Sequence, residues 1–500
     1  MMHPDTYEGG IESWGGGCIS GWAYSTSSPD ATLLIDIEVN GKLVETILAG
    51  RFREDLFLAK KGNGKHAFKS GVLGNKLKND GSVDVIQILL SGTDLPIHTP
   101  IYLRRGQEIT LKCYYPWTTL NVGTNGDAYP CISRSWFKDG AGLVGNQNLQ
   151  SLEEIWNSPA IRKIRNDFMK GDYAICKADV CPFLNGDFQM KAPSRSVIAA
   201  ISYPDRPFDA GINELVHEVD RGCNLNCVMC RPEREEIDKR IEKKVVGEIE
   251  SMVKQGDLRS LVMSPAGEVL MHQKVIRMLK SNLLSDHGVH VTIITNLTLL
   301  NPALWRSIKH NDITISASID GVCKETYERI RRGATWETVY GNLLYLADVY
   351  KRGELRKLAV NMVVMGSNRH DIGGMIELTK TLGIALFFIK HEGLSALEEN
   401  VFDSCRIDIL DEIYDEMDQN QGFELPHVHL GSVRVLMDRS YRSFEYRMSC
   451  ARIQMSRYNR LDIAKRIVKQ CVADIRSGKL EINESVFEQH HHFIRTIQEL

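Results

Sequence analysis

The sequence predicts a multidomain α/β protein, and three observations carry that expectation. Between residues 205 and 395, six short apolar runs alternate with helical patterns, which implies a parallel sheet with right-handed crossovers. Residues 1–105 hold alternating apolar and polar runs punctuated by Gly, Asn and Asp, the pattern of an all-β module. Residues 396–500 lose the strand pattern and carry apolar stripes at helical spacing. A chain of 500 residues has room for several domains, each with its own core.

In the first region, residues 31–48 alternate around Asn40-Gly41, a strong hairpin signal. Residues 83–90 and 96–103 are further strands, at the intervals of a β-sandwich. No cluster of Cys, His and carboxylates occurs there, so this module is expected to be non-catalytic. Residues 106–195 hold Cys113, Cys131, Cys176 and Cys181, with a hairpin turn at Asn125-Gly126-Asp127. Ser151 and Glu154 form a capping box that opens a helix. Two strands joined by the turn bring Cys113 and Cys131 together, and the helix returns the chain to Cys176 and Cys181. Four thiols suit either zinc or an iron–sulfur cluster. Pro193, Pro204 and Pro207 mark residues 190–212 as a linker.

The expected barrel strands are 215–219, 260–263, 290–295, 312–319, 357–365 and 384–390, with a helix over 369–382 before the last. Cys223, Cys227 and Cys230 follow the first strand, spaced C-x3-C-x2-C, and a charged helix is expected from about Glu233. A (β/α) barrel carries its chemistry at strand C-terminal ends. Three thiolates can hold three irons of a [4Fe–4S] cube and leave the fourth iron open. A zinc site is the alternative, and it needs a fourth ligand; His217 is near in sequence but sits on the preceding strand.

The cysteine spacing, with apolar Met229 before the third thiol, resembles the cluster motif of the radical S-adenosylmethionine (SAM) superfamily. That resemblance implies a partial (β/α)6 barrel, SAM bound at the open iron, and a 5′-deoxyadenosyl radical that abstracts hydrogen. Ala266-Gly267-Glu268 stands where the family has Gly-Gly-Glu, which holds the SAM amino group; the first Gly is Ala here. A buried Glu is costly without a cation, so an ammonium partner fits. Asn296 ends the third strand. Ser318-Ile319-Asp320-Gly321 with Arg331-Arg332-Gly333 is similar to the signature of SPASM-linked members. It implies that Ser318 contacts the ribose and Arg331 the carboxylate. Asn368 reads as the N-cap of the helix after the fifth strand. Cys323 is a candidate hydrogen donor to a substrate radical.

Cys113-x2-Pro116-Trp117, Gly145-Asn146 and the Ser151–Asn157 helix resemble the SPASM/Twitch domain, implying one auxiliary [4Fe–4S] cluster at Cys113, Cys131, Cys176 and Cys181. In the familiar order that domain follows the barrel; here it precedes it. Segments 20–23, 53–56 and 64–68 resemble a β-sandwich module found beside bacterial cell-surface glycosyltransferases. Glycan binding and a spacer role remain open for it, with Trp22 as the stacking candidate.

The composition, 43% apolar and 25% charged with net charge −3, argues against nucleic acid as a partner. The first residues lack a basic n-region and an apolar h-region, predicting a cytoplasmic chain, and no apolar run predicts a membrane span. The tail is expected to cover the barrel mouth as a helical extension. His427 and His429 could face substrate there, and Cys18, Cys405, Cys450 and Cys471 read as structural. The resulting expectation is a radical SAM oxidoreductase or epimerase. Its substrate is a sugar or glycan-related small molecule, with a ribosomal peptide as the rival, and flavodoxin or ferredoxin is its reductant. A non-catalytic iron–sulfur or zinc scaffold with a glycan-binding module is the remaining alternative.

Overall fold

The computed structural model describes residues 7–499, apart from 16, 74–75, 79–81, 99, 105–106, 110, 139, 179–180, 185–189, 191–194, 203–210, 231–235, 264–265, 392–396, 481 and 483. It divides into two compact units, Met1–Val216 and His217–Leu500.

The first unit opens with two antiparallel sheets. Strands β1 (Tyr7–Gly15), β2 (Cys18–Ser25), β5 (Arg51–Phe52) and β6 (Lys65–Ser70) form one, in the order β1-β2-β6-β5. Strands β3 (Leu33–Val39), β4 (Lys42–Ala49), β7 (Val83–Leu90), β8 (Ile101–Arg104) and β9 (Gln107–Ile109) form the other, in the order β4-β3-β7-β8-β9. Ile19, Ala23 and Phe68 from the first sheet and Ile35, Ile37, Ile86 and Ile88 from the second share one buried core. The β3–β4 turn is the expected Asn-Gly hairpin: Asn40 and Gly41 both have positive φ, 57° and 73°, as a two-residue type I′ turn requires. Asn40 is buried, its amide bonds Asp84 at 2.8 Å, and its oxygen accepts from Val85 N and Ser202 Oγ.

A second layer of this unit carries the four-cysteine region. Strands β10 (Thr119–Val122), β11 (Asp127–Tyr129), β12 (Gly145–Asn146) and β13 (Glu214–His217) run in the order β12-β11-β10-β13. The turn at Asn125-Gly126-Asp127 is present, with Gly126 at φ 84°. The capping box is also formed: Ser151 Oγ accepts from Glu154 N at 3.2 Å, and Glu154 returns the bond to Ser151 N at 2.8 Å. Helix α3 (Pro159–Met169) is tied back to the Pro116-Trp117 corner by Arg165 Nε, which donates to Pro116 O at 2.8 Å. The expected linker contains a helix, Arg195–Ser202, whose apolar Val197, Ile198 and Ile201 are buried; Pro193, Pro204 and Pro207 lie outside the described residues.

In the second unit, β14 (Ser260–Met263), β15 (His290–Thr295), β16 (Asp312–Ser318), β17 (Lys357–Val364) and β18 (Ala385–Lys390) are adjacent in chain order and parallel. Along β14 to β16, fully buried residues alternate with half-buried ones. One face of the sheet is therefore sealed, and the other borders an inner space. A further parallel strand, β19 (Val428–His429), pairs with Leu386 and Phe387. Two residues are too short a run for sequence pattern to reveal as a strand within a mostly helical tail.

Helix α5 (Lys239–Gln255) follows the cysteine loop, capped by Asp238 at its start and by left-handed Gly256 at its end; its expected onset near Glu233 falls among residues outside the description. Asn368 does not cap a helix. It sits inside a 3-10 turn, Gly366–Asp371, ahead of α11 (Ile372–Leu382). Its side chain accepts from Met365 N and donates to Asp320 O and Val363 O, all within 2.8–2.9 Å. A fully buried Asn has four hydrogen-bonding positions to satisfy, and crossing to a neighbouring strand end satisfies more of them than a cap does. Helices α12 (Ile407–Gln419), α13 (Phe444–Ser456), α14 (Leu461–Arg476) and α15 (Glu484–Glu499) complete the chain, the last three around a shared core. Among the described residues, no helix is long and apolar enough to cross a membrane.

Candidate functional site

The cysteine loop is closed at its neck. Asp220 accepts from Gly222 N at 2.8 Å and from Asp238 N at 3.1 Å, so the two ends of the loop meet on one carboxylate. His272 Nε2 lies 3.0 Å from the same group. Further along, Asn226 N and Val228 N donate to Arg332 O and Ile330 O, which pins the loop to the segment after β16. Gly267 is needed for a close approach. A Cβ there would stand 2.0 Å from Gly222 O, while Glu268 N donates to that same oxygen at 2.8 Å. The second residue of Ala-Gly-Glu is therefore fixed by backbone packing against the cysteine loop.

Cys223, Cys227 and Cys230 line one cavity of about 300 Å³. Met229, Ala266, Gly267, Asn296, Ser318 and Arg331 line it too, as do Lys390 and His391. Residues from the ends of five successive strands and from the cysteine loop thus face one space, as the strand-end rule requires. Three thiols beside one cavity leave one iron of a four-iron cluster without a protein ligand, which suits a cluster with an open position. Burial pushes the Cys227 thiol up to about 11, against the opposing field of Arg331; a metal must therefore displace its proton.

Glu268 and Asp320 stand behind this wall, both fully buried. The Glu268 carboxylate accepts from Asn296 N at 2.7 Å, Thr295 Oγ1 at 2.8 Å and Leu270 N at 3.1 Å. Burial pushes its pKa up, and these bonds oppose the shift. Three protein donors thus meet a carboxylate for which the sequence suggested an ammonium partner. Glu268 positions Asn296, whose amide reaches Asn224 on the cysteine loop at 2.9 Å. Asp320 accepts from Arg331 Nε at 2.6 Å and from Val363 N at 2.8 Å. Burial works against the Arg331 charge, but the fields of Asp320 and then Cys227 outweigh it and hold the guanidinium protonated.

Cys323 is not brought to the cavity. It is exposed, at the start of the helix Lys324–Ile330. The turn is held by Asp371, a buried residue whose carboxylate accepts from Val322 N at 3.0 Å and Cys323 N at 3.2 Å. His427 and His429 do not line the cavity either; His429 stacks on Phe387 at 4.5 Å.

Two polar lining residues escaped sequence reasoning. Lys390 and His391 follow the apolar run Phe387-Phe388-Ile389, and that abrupt change of polarity at a strand end was the available signal. Lys390 is paired with buried Asp403, which also accepts from Tyr458 Oη at 2.7 Å and Asn400 Nδ2 at 3.0 Å. His391 is 1% exposed, and among the described residues neither ring nitrogen has a hydrogen-bond partner. Burial lowers its pKa, so the ring is neutral.

In the other unit, Cys113, Cys131 and Cys181 are buried and Cys176 is half-buried. Burial first, and then the fields of the other thiols, raise Cys113 well above the ordinary range; Cys131 and Cys176 reach about 12. The four thiols lie near enough to one another that their fields add to these shifts. Tyr115 and Trp136 close on Phe183 beside it, at ring distances of 5.5 and 6.0 Å.

Comparison with known proteins matches residues 218–379 to the radical SAM superfamily. The chain carries a radical SAM domain. Residues 113–182 match the SPASM iron–sulfur cluster-binding domain, which therefore precedes the radical SAM domain. The two domains imply a SAM-binding [4Fe–4S] cluster, an auxiliary iron–sulfur cluster and SAM itself. The chain is similar to the AdoMet-dependent heme synthase of Methanosarcina barkeri, 28% identical over 181 residues, which covers 34% of this chain and 48% of that protein. The match thus spans about half the length of that relative. Solved structures that resemble the chain include Streptococcus suis SuiB bound to its precursor peptide SuiA, with a TM-score of 0.35, 13% identity, and coverage of 65% of this chain and 67% of that one. Another is anSMEcpe with bound AdoMet, with a TM-score of 0.32, 18% identity, and coverage of 42% and 59%. These two likenesses are too distant to bear on function.

Proposed function

We propose that this protein is a radical SAM enzyme that removes a hydrogen atom from a C–H bond of a sugar or glycan-related substrate, leading to oxidation or epimerisation. The observation that carries the reading is the single cavity on which Cys223, Cys227, Cys230, Asn296, Ser318 and Arg331 converge. When bound and reduced, the cluster and SAM supply a 5′-deoxyadenosyl radical, a strong abstractor of hydrogen. The three thiolates hold three irons, and Met229 and Ala266 shape the wall beside them. Gly267 and Asn296 line the cofactor side, with Asn296 oriented by Glu268. Ser318 offers a hydroxyl, and Arg331, clamped by Asp320, offers a fixed positive charge.

The remaining polar wall, Lys390 and His391, is left for substrate. A neutral imidazole presents one donor and one acceptor, which fits a hydroxyl group and supports a sugar over an apolar substrate. The first two sheets act as a β-sandwich accessory module, and the six strands from β13 to β18 as a partial barrel. The four thiols of the SPASM domain, Cys113, Cys131, Cys176 and Cys181, would hold the auxiliary cluster, which would supply one-electron redox chemistry. A small electron-transfer protein of the flavodoxin or ferredoxin class supplies the reductant, in a cytoplasmic setting.

The test is anaerobic reconstitution followed by iron and sulfide analysis and dithionite-driven 5′-deoxyadenosine release, then assay with deuterated nucleotide sugars. About eight irons per chain with deuterium carried into 5′-deoxyadenosine supports the reading. Deuterium transfer only from a labelled peptide replaces the sugar by a peptide, and bound zinc with no SAM cleavage overturns the enzyme.

A further inference from the structure

Three segments of the second unit meet on one carboxylate. Asp220 lies just before the cysteine loop and is 7% exposed. Its Oδ1 accepts from Gly222 N at 2.8 Å, at the start of the loop. Its Oδ2 accepts from Asp238 N at 3.1 Å, at the far end, where Asp238 caps α5. The third group is His272 Nε2, 3.0 Å from Oδ1. His272 comes from another strand end, past the Ala266-Gly267-Glu268 turn, and is buried. Its backbone is fixed on both sides: its N–H donates to Val269 O at 3.1 Å, and its carbonyl accepts from Ile276 N at 2.9 Å. The ring is therefore held by the start of its own helix, Gln273–Lys280.

The chain between Gly222 and Asp238 carries all three thiols of the C-x3-C-x2-C motif. Protein groups alone close its neck, and a loop so closed has fewer arrangements to lose when its thiols take up iron. Gly222 is also where the loop meets the next strand end, because its oxygen accepts from Glu268 N at 2.8 Å. A Cβ at Gly222 would stand 2.6 Å from the Ile237 side chain, so the neck is packed as well as bonded. Burial opposes the Asp220 charge, but His272 and the backbone donors outweigh it and hold the carboxyl below its usual range. An amide in its place could accept on one side only, and its NH2 would face an N–H.

We infer that Asp220 and His272 are positioning residues for the cluster. Their contact closes the neck and sets the spacing of Cys223, Cys227 and Cys230 for iron. They act through the loop backbone and not as ligands. Through Gly222 the same contact keeps the loop in register with the Ala266-Gly267-Glu268 turn. The inference rests on the radical SAM domain and is independent of the substrate proposed above.

The test uses the full-length, cluster-loaded protein titrated anaerobically with an iron chelator. The loop cluster is followed by the EPR signal that changes when SAM is added, since its open iron is the one that takes an outside ligand. His272→Leu and Asp220→Asn should release that cluster at ~10–100-fold lower chelator concentration, the range found for groups that orient metal ligands, while the SPASM iron is retained. His272→Gln keeps an N–H donor and should recover most of the loss. Unchanged retention with a lowered unfolding free energy would make the contact a matter of stability alone and overturn the inference. A second measurement needs no substitution. In the unsubstituted full-length chain stripped of iron, the Gly222 and Asp238 amides should exchange hydrogen at least ~10-fold more slowly than Asn224 and Met229 within the loop. Equal exchange at the four positions would show that the neck closes only with the metal, and the inference would fall.

Discussion

The two cysteine sites solve the same problem in opposite ways. Cys223, Cys227 and Cys230 are half-buried, buried and exposed in turn, and they face a cavity that also presents an arginine, a histidine and a lysine. Cys113, Cys131, Cys176 and Cys181 form a mostly buried quartet packed beside aromatic rings, with Tyr115 and Trp136 against Phe183. Three donors with room beside them leave a coordination position for something else; four donors complete a cluster by themselves. The difference between a reactive cluster and a closed one therefore lies in donor count and in what surrounds the donors, since the sulfur chemistry is common to both.

The largest expected effect separates the sites outright. Cys227→Ala should lower SAM cleavage at least ~10³-fold and remove about four irons per chain, with the SPASM iron retained; full iron content with cleavage intact would erase the distinction. Cys131→Ala should likewise remove about four irons yet keep substrate-free SAM cleavage within about threefold, because the cluster that holds SAM is untouched. Loss of that cleavage would mean that the two sites are not separable. Both outcomes are read by iron analysis and 5′-deoxyadenosine release.

The cavity's own framework gives the next effect. Arg331→Ala leaves Asp320 charged and buried, and should cost about 3–5 kcal/mol in chemical denaturation. Asp320→Asn in the same background should recover part of it, which a double-mutant cycle would read.

His217 offers a smaller, pH-dependent effect. It is fully buried on β13, and burial, with the field of Lys244, pushes its pKa down to about 4. Folding therefore favours the neutral ring, relative to about 6.5 in the unfolded chain. The contribution, about 3 kcal/mol, is complete above that value and is lost as the pH falls from about 6.5 to 4. His217→Gln should flatten the slope of unfolding free energy against pH in that window, and an unchanged slope would show His217 to be solvated. The smallest effect is expected at exposed Cys323: Cys323→Ala should leave SAM cleavage unchanged, and a loss would bring that thiol back into the chemistry.

Much of this was legible along the chain because it rests on local pattern. The thiol spacings, the Asn40-Gly41 hairpin, the Ser151–Glu154 capping box and the alternation of strands with helices are each set by neighbours a few residues apart. The sequence by itself therefore determined the strand order from β14 to β18 and the cysteine motif at the cavity. What it could not supply depends on residues distant in sequence. The turn at Cys323 is held by distant Asp371, and Asn368 crosses to Asp320 and Val363 instead of capping the following helix. The charge of Glu268 is met by Thr295 and Asn296, and Lys390 reaches the cavity wall paired to Asp403. Polar groups removed from water must find partners wherever the fold brings them. That choice belongs to the tertiary structure, because only packing decides which donors and acceptors meet.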